Sequence, residues 1–291
     1  MPVSGTADGM DAPALMADNR FRQVVVDYCE KMVEPAPAGW PVRKLLNQLE
    51  RYYSAYMLIG QYYGWRNHGA SVPNLSRLQA ISGQSPRQTA SFCATLEARN
   101  LVFSDTLASD RRQRVLRPAD SLIREVGRSC AAFVEAYDVI AGSALAPPIE
   151  RDAGLLGEMI HFSATRVRGS GTVIALYPRV LALSGYDCGY PMLVTLILAH
   201  YRRRSGKEMF AMTHGALAER FQVSESHIGN VLGHLRQAGA LVPGRGPQDG
   251  IVVEDLVDEF ERWCAAEMAH YADLARACLP QRAPQYRQAP Q

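Results

Sequence analysis

Two segments of the chain, NLSRLQAISGQSPRQTASFCATLEARNLVF at 74–103 and THGALAERFQVSESHIGNVLGHLRQAGALV at 213–242, align without a gap at an offset of 139 residues. Within them only Leu78/Leu217, Ser85/Ser224 and Leu96/Leu235 are identical, so identity alone establishes no repeat. What repeats is the order of capping and apolar positions, which carries the structural information. Asn74 and Thr213 stand where a short helix would be capped, and Ser85 and Ser224 stand where a second would begin. In the first copy Pro86 fits the first helical position, and Gln88 completes a Ser-x-x-Gln capping box. The spacing predicts a buried stripe of Thr89, Phe92, Cys93 and Leu96, matched by Ile228, Val231, Leu232 and Leu235. Each predicted helix ends near Asn100 or Gly239, and an apolar run follows.

Helical periodicity dominates the rest: 21–33, 42–65, 119–140, 154–165, 191–204 and 254–278 carry apolar residues three and four apart. Strand candidates are short, at 101–103, 115–117, 241–242 and 251–253. The predicted class is mainly α with short β-hairpin wings: two short helices, a tight turn, a strand, a loop and a returning strand, twice over. This is the order of tandem winged helix-turn-helix domains joined by long helices. The predicted organisation is a disordered tail at 1–19, a first winged-helix domain with flanking helices at 20–141, a linker at 142–152, a second such domain at 153–279 and a disordered tail at 280–291.

A chain of 291 residues suits two domains. The six cysteines form no CxxC and no Cys/His pair at zinc spacing, and no apolar run reaches a membrane span. A reduced, cytoplasmic protein that is neither secreted nor membrane-embedded is expected. No HExxH, GxSxG, Walker-type loop or dinucleotide fingerprint occurs, so neither catalysis, a cofactor nor a metal is expected. Glu267 and His270 have the spacing of one half of a carboxylate-bridged metal site, but the other ligands are missing.

With a net charge of +2, attraction for nucleic acid has to come from local clustering. Between Ser76 and Pro118 there are seven arginines (77, 87, 99, 111, 112, 114, 117) against three acids (Glu97, Asp105, Asp110). Outside the stripe, the first recognition helix (85–98) turns Arg87, Gln88, Ser91 and Thr95 outward. Arg87 suits guanine and Gln88 suits adenine, each as a bidentate contact. Any wet helix face shows such residues, and the loop is what favours double-stranded DNA. Residues 104–114 join two apolar strands and present Arg111, Arg112 and Arg114, whose planar forks grip phosphates or enter narrow minor grooves.

The stretch LEARNLVFSDTLASDRRQRVLRPADSLI resembles the recognition-helix-to-wing segment of MarR-type transcriptional regulators, tightly over about a tenth of the chain and loosely over 43–140. The resemblance implies a sequence-specific regulator in which Asp110 orients the wing while Arg111 and Arg112 contact DNA. It also implies a homodimer, or here a monomeric pseudo-dimer with both heads in one chain, about one DNA turn apart. The family binds small aromatic effectors, and the aromatic run at 51–65 offers Tyr52, Tyr56 and Tyr63 as a candidate effector pocket, although such residues at helical spacing are more often core.

The second copy departs from this pattern. Its loop, PGRGPQDG, holds only Arg245, and its helix (224–237) turns Ser226, His227, Asn230 and His234 outward beside an acidic Glu225. Arg202, Arg203, Arg204 and Lys207 precede it and suit phosphates. A plasmid-type replication initiator with tandem winged helices and a protein-binding winged-helix scaffold are the alternatives.

Overall fold

The computed structural model describes residues 9–35, 42–107, 110–243 and 250–282. In chain order the helices are α1 (Ala12–Ala17), α2 (Phe21–Val33), α3 (Val42–Leu46), α4 (Leu49–His68), α5 (Leu75–Gln79) and α6 (Pro86–Ala98). The antiparallel strands β1 (Val102–Leu107) and β2 (Asp110–Pro118) follow. Then come α7 (Asp120–Val126), α8 (Arg128–Ala141), α9 (Ala146–Arg151), α10 (Ala153–Ser170), a 3-10 turn at Val173–Leu176, α11 (Pro178–Ser184) and α12 (Gly189–Arg204). The chain continues through α13 (His214–Phe221), α14 (Glu225–Gln237), the antiparallel pair β3 (Leu241–Pro243) and β4 (Gly250–Val252), and α15 (Glu254–Arg282). The protein is mainly helical with short β hairpins, and no helix among the described residues is long and apolar enough to cross a membrane.

The chain divides into two compact units. Unit 1 holds the described residues of Met1–Leu15, Glu50–Gly171 and Ala266–Gln291; unit 2 holds those of Met16–Leu49 and Thr172–Ala265. The units are not the successive halves expected from the order of motifs. The stripe of α2 (Val24, Val25, Tyr28, Cys29) is buried, and α2 packs on α12, far along the sequence. A periodic stripe shows that a helix face is buried and does not show against which helix.

Two expected loose segments are ordered. Within 1–19, α1 buries Leu15 completely, and the Met10 amide donates to the Tyr137 hydroxyl at 2.9 Å. Within the expected linker, α9 buries Ala146 and Ile149. Prolines are tolerated in a first helical turn because its amides have no intrahelical partner, and the Ala146 amide instead donates to the Asp138 carboxylate at 2.7 Å. The backbone of α15 likewise runs on into 280–282, and residues 283–291 lie outside the described residues.

In unit 1, small residues let α4 and α10 approach closely. A Cβ at Gly157 would sit 2.1 Å from the Tyr63 ring, and one at Gly60 would sit 2.6 Å from the Ala164 methyl. The long periodic runs at 42–65 and 119–140 are each two helices, interrupted at 47–48 and at Gly127. A side chain at Gly127 would meet Leu156 at 2.6 Å, so that break admits the neighbouring helix.

Candidate nucleic-acid interface

The two repeated segments share backbone geometry as well as pattern. Asn74 and Thr213 accept at 3.0 and 3.2 Å from the amides of Arg77 and Ala216, and Ser85 and Ser224 accept at 3.2 Å from those of Gln88 and His227. In the turns, Gly83 and Gln222 both have positive φ (73° and 56°); at the helix ends, Asn100 and Gly239 do too (57° and 67°). After each end, the amide of Leu101 or Ala240 returns to the carbonyl of Leu96 or Leu235 at 2.9 Å. Both expected stripes are buried residue for residue.

On α6, Arg87, Gln88 and Ser91 are exposed and Thr95 is half-buried. Gln88 is tied to the helix start, because its side-chain oxygen accepts from the Ser85 amide at 3.1 Å and the Ser85 hydroxyl at 2.7 Å. The Thr95 hydroxyl donates to the Ser91 carbonyl at 2.9 Å. Arg87 and Ser91 are therefore the two of the four whose side chains are not engaged in these local bonds. The α5–α6 turn is held by the Ser82 and Thr89 hydroxyls at 2.7 Å and by the Gln79 amide on the Pro86 carbonyl at 2.8 Å.

The segment expected as a loop at 104–114 is mostly paired strand. Thr106 pairs with Arg114, and Leu107 pairs with Asp110 after a register shift. Polar residues extend the ribbon beyond its apolar root because ladder hydrogen bonds need no apolar side chains. The root is fixed at both ends: Val102, Val115 and Leu116 are buried, the Leu116 amide donates to the Pro73 carbonyl at 2.9 Å, and the Ala119 amide donates to the Leu101 carbonyl at 2.9 Å. The register sets Arg114 opposite Thr106 and Arg117 opposite Phe103, on opposite faces of the ribbon.

Arg112 and Arg114 are exposed. Arg114 lies along the ribbon, with Nε donating to the Ser104 hydroxyl at 2.7 Å and a terminal nitrogen to the Ser104 carbonyl at 3.0 Å. Arg117 donates to the Asp105 carboxylate at 2.6 Å and sits 4.6 Å over the Phe103 ring. The hydrogen bond to Asp105 raises the pKa of its guanidinium, keeping it charged. Ser104 and Asp105 thus order two basic side chains, a role that the family resemblance assigns to Asp110 alone. The backbones of Asp110 and Arg111 belong to β2, and their side chains lie outside the description.

Unit 2 presents its helix differently. On α14, Ser226 and Asn230 are exposed, whereas His227 meets the Asp187 carbonyl at 2.9 Å and His234 stacks on Tyr186, ring centroids 4.9 Å apart and 6° from parallel. The turn before α12 thus occupies two of the four positions expected to face bases. No sequence signal links 186–187 to α14, since the contact arises from tertiary packing. At the end of α12, Arg202 pairs with Glu30 at 2.8 Å and Arg204 with Glu254 at 3.1 Å. Arg203 and Lys207 are exposed, and Arg245 lies outside the described residues.

The tyrosines expected to line an effector pocket do not line the cavity found in unit 1. Tyr52 donates to the Val126 carbonyl at 2.9 Å, Tyr56 meets Tyr271 at 3.2 Å, and Tyr63 reaches the Ala153 carbonyl at 3.5 Å. Burial raises the pKa of Tyr52 and Tyr56 well above the ordinary range. Their helix face is core, and the cavity of about 330 Å³ opens on another face, at Met57, Gly60, Gln61 and Gly64. His270 meets the Ser163 hydroxyl at 2.9 Å, and no metal-binding group of three His, Cys, Asp or Glu occurs among the described residues. Compared with protein-family models, curated proteins and solved structures, the chain matches none.

Proposed function

We propose that the chain is a sequence-specific, double-stranded DNA-binding transcriptional regulator built on tandem MarR-like winged helices, with residues 74–118 as its principal grip. One juxtaposition supports this reading most: a capped helix with Arg87 and Ser91 exposed leads directly into a hairpin whose root is fixed and whose outward part carries Arg112. A helix of this kind enters the major groove by its N-terminal half, and a basic ribbon beside it reaches the backbone or minor groove. Phosphate contacts from the ribbon set the register, and base edges met by α6 set the sequence preference. The α14 half contributes less, because His227 and His234 are held within their own unit.

Selection of bound duplexes from a random-sequence pool tests the reading. One enriched motif, contacted through 74–118 in footprints of the wild-type protein and lost with Arg87→Ala, is the expected result. Failure to retain any duplex at low salt would overturn it and favour a protein-docking role.

A further inference from the structure

The hairpin of β1 and β2 has two unlike faces. In an antiparallel pair, residues directly opposite each other project to the same side, and successive residues of a strand alternate. The register therefore groups Ser104, Thr106 and Arg114 on one face, and Phe103, Asp105 and Arg117 on the other. On the second face the charge is already balanced, because Arg117 donates to the Asp105 carboxylate at 2.6 Å and covers the Phe103 ring at 4.6 Å. On the first face, outward of the buried Leu116, the described side chains carry hydroxyls or a guanidinium, and none is acidic. Arg114 does not sweep freely there. Its Nε donates to the Ser104 hydroxyl at 2.7 Å, and one terminal nitrogen donates to the Ser104 carbonyl at 3.0 Å. These bonds leave the other N–H groups of the guanidinium, including both on the second terminal nitrogen, for a ligand.

A long basic side chain loses rotamer freedom when it grips an anion, and one that is pinned beforehand loses less. Ser104 supplies that pinning from a paired strand, with its own backbone carbonyl and hydroxyl as the two anchors. We propose that the Ser104–Thr106–Arg114 face of the hairpin is the one that meets the DNA backbone, with Arg114 on a phosphate oxygen and Ser104 as the residue that positions it. Charge complementarity selects this occupant: the face offers a guanidinium and hydroxyl donors without an acid, which suits a phosphodiester. Thr106, exposed and directly opposite Arg114, adds a second hydroxyl beside the same phosphate. The Asp105 face is turned away from the duplex, since its exposed carboxylate would repel the backbone, and Arg117 braces the hairpin. This inference rests on the DNA reading and adds to it which face of the ribbon is engaged and what holds its arginine.

Binding of the full chain to its selected duplex across a salt series tests the proposal. Arg114→Gln should make the slope of log K against log salt shallower by about 0.9, the loss of one phosphate contact. Ser104→Ala keeps the charge, so the slope should stay unchanged while affinity falls about three- to tenfold, the cost of freeing a pinned side chain. Ser104→Thr, which retains the hydroxyl and suits a strand, should bind as the wild type does. Ser104→Ala added to Arg114→Gln should cost nothing further, whereas a merely structural role for Ser104 would weaken both backgrounds alike. Arg117→Gln should leave the slope unchanged. An unchanged slope in Arg114→Gln, an unchanged affinity in Ser104→Ala, or a loss in Ser104→Thr as large as in Ser104→Ala would each overturn the proposal. So would equal Ser104→Ala losses with and without Arg114, or a slope change in Arg117→Gln matching that in Arg114→Gln. All these outcomes leave duplex binding itself intact; absence of duplex binding by the wild type would overturn the DNA reading and this proposal together.

Discussion

Ser85 illustrates which single residues are readable from sequence and which are not. A capping box follows from four consecutive positions, so the bonds between Ser85 and Gln88 are legible without any knowledge of packing. Ser85→Ala should lower the unfolding free energy by about 0.5–2 kcal/mol in denaturant titrations. Gln88→Ala should cost little more once Ser85 is gone, because the two side chains act as one cap. Additive losses would contradict the shared cap. The partners of Arg114, Arg117, His227 and His234 are not legible. Each depends on which strand register or distant turn is brought alongside, and residue type alone says only that the side chain is polar.

At the scale of elements, the two helix pairs are readable because caps, stripes and left-handed termini obey local rules. The hairpin is readable only at its root. Between Phe103 and Val115 the described ribbon is polar except for Leu107, and alternation of apolar residues marks a strand only where one face is buried. Under the proposed DNA-binding function, the difference between the helices has a measurable consequence. Arg87→Ala should cost about 1–3 kcal/mol of discrimination at one base pair, seen as a flattened preference there in competition binding. Asn230→Ala on α14 should change affinity less than about twofold, since a surface residue away from the principal contacts contributes within about 0.5 kcal/mol. An Asn230 effect as large as that of Arg87 would show both helices reading bases.

For the whole molecule, helical class is legible from periodicity, whereas the assignment of helices to units is not, because α2 finds α12 across most of the chain. Three wholly or partly buried histidines give the fold a pH dependence of definite sign. Burial, and secondarily Arg166, lowers the pKa of His270 to about 4 from its ordinary 6.5. Between these values the unfolded chain takes up the proton and the folded chain does not, so the contribution of His270 to stability is present above about 6.5 and is lost as pH falls towards 4. Burial also lowers the pKa values of His161 and His200. His270→Gln should therefore flatten the fall in unfolding free energy over this window, measured by denaturant titration at successive pH values. An unaltered slope would show that His270 is not responsible.

The central claim, that the arginine-bearing ribbon grips a DNA backbone, is tested most directly by the salt dependence of duplex binding for the wild type and the Arg111→Ala, Arg112→Ala double variant. Removing one phosphate-neutralising side chain should reduce the slope of log K against log salt by about 0.9, so the double variant should bind more weakly at low salt and with a shallower slope by up to about 1.8. The same affinity and the same slope in both proteins would contradict the account.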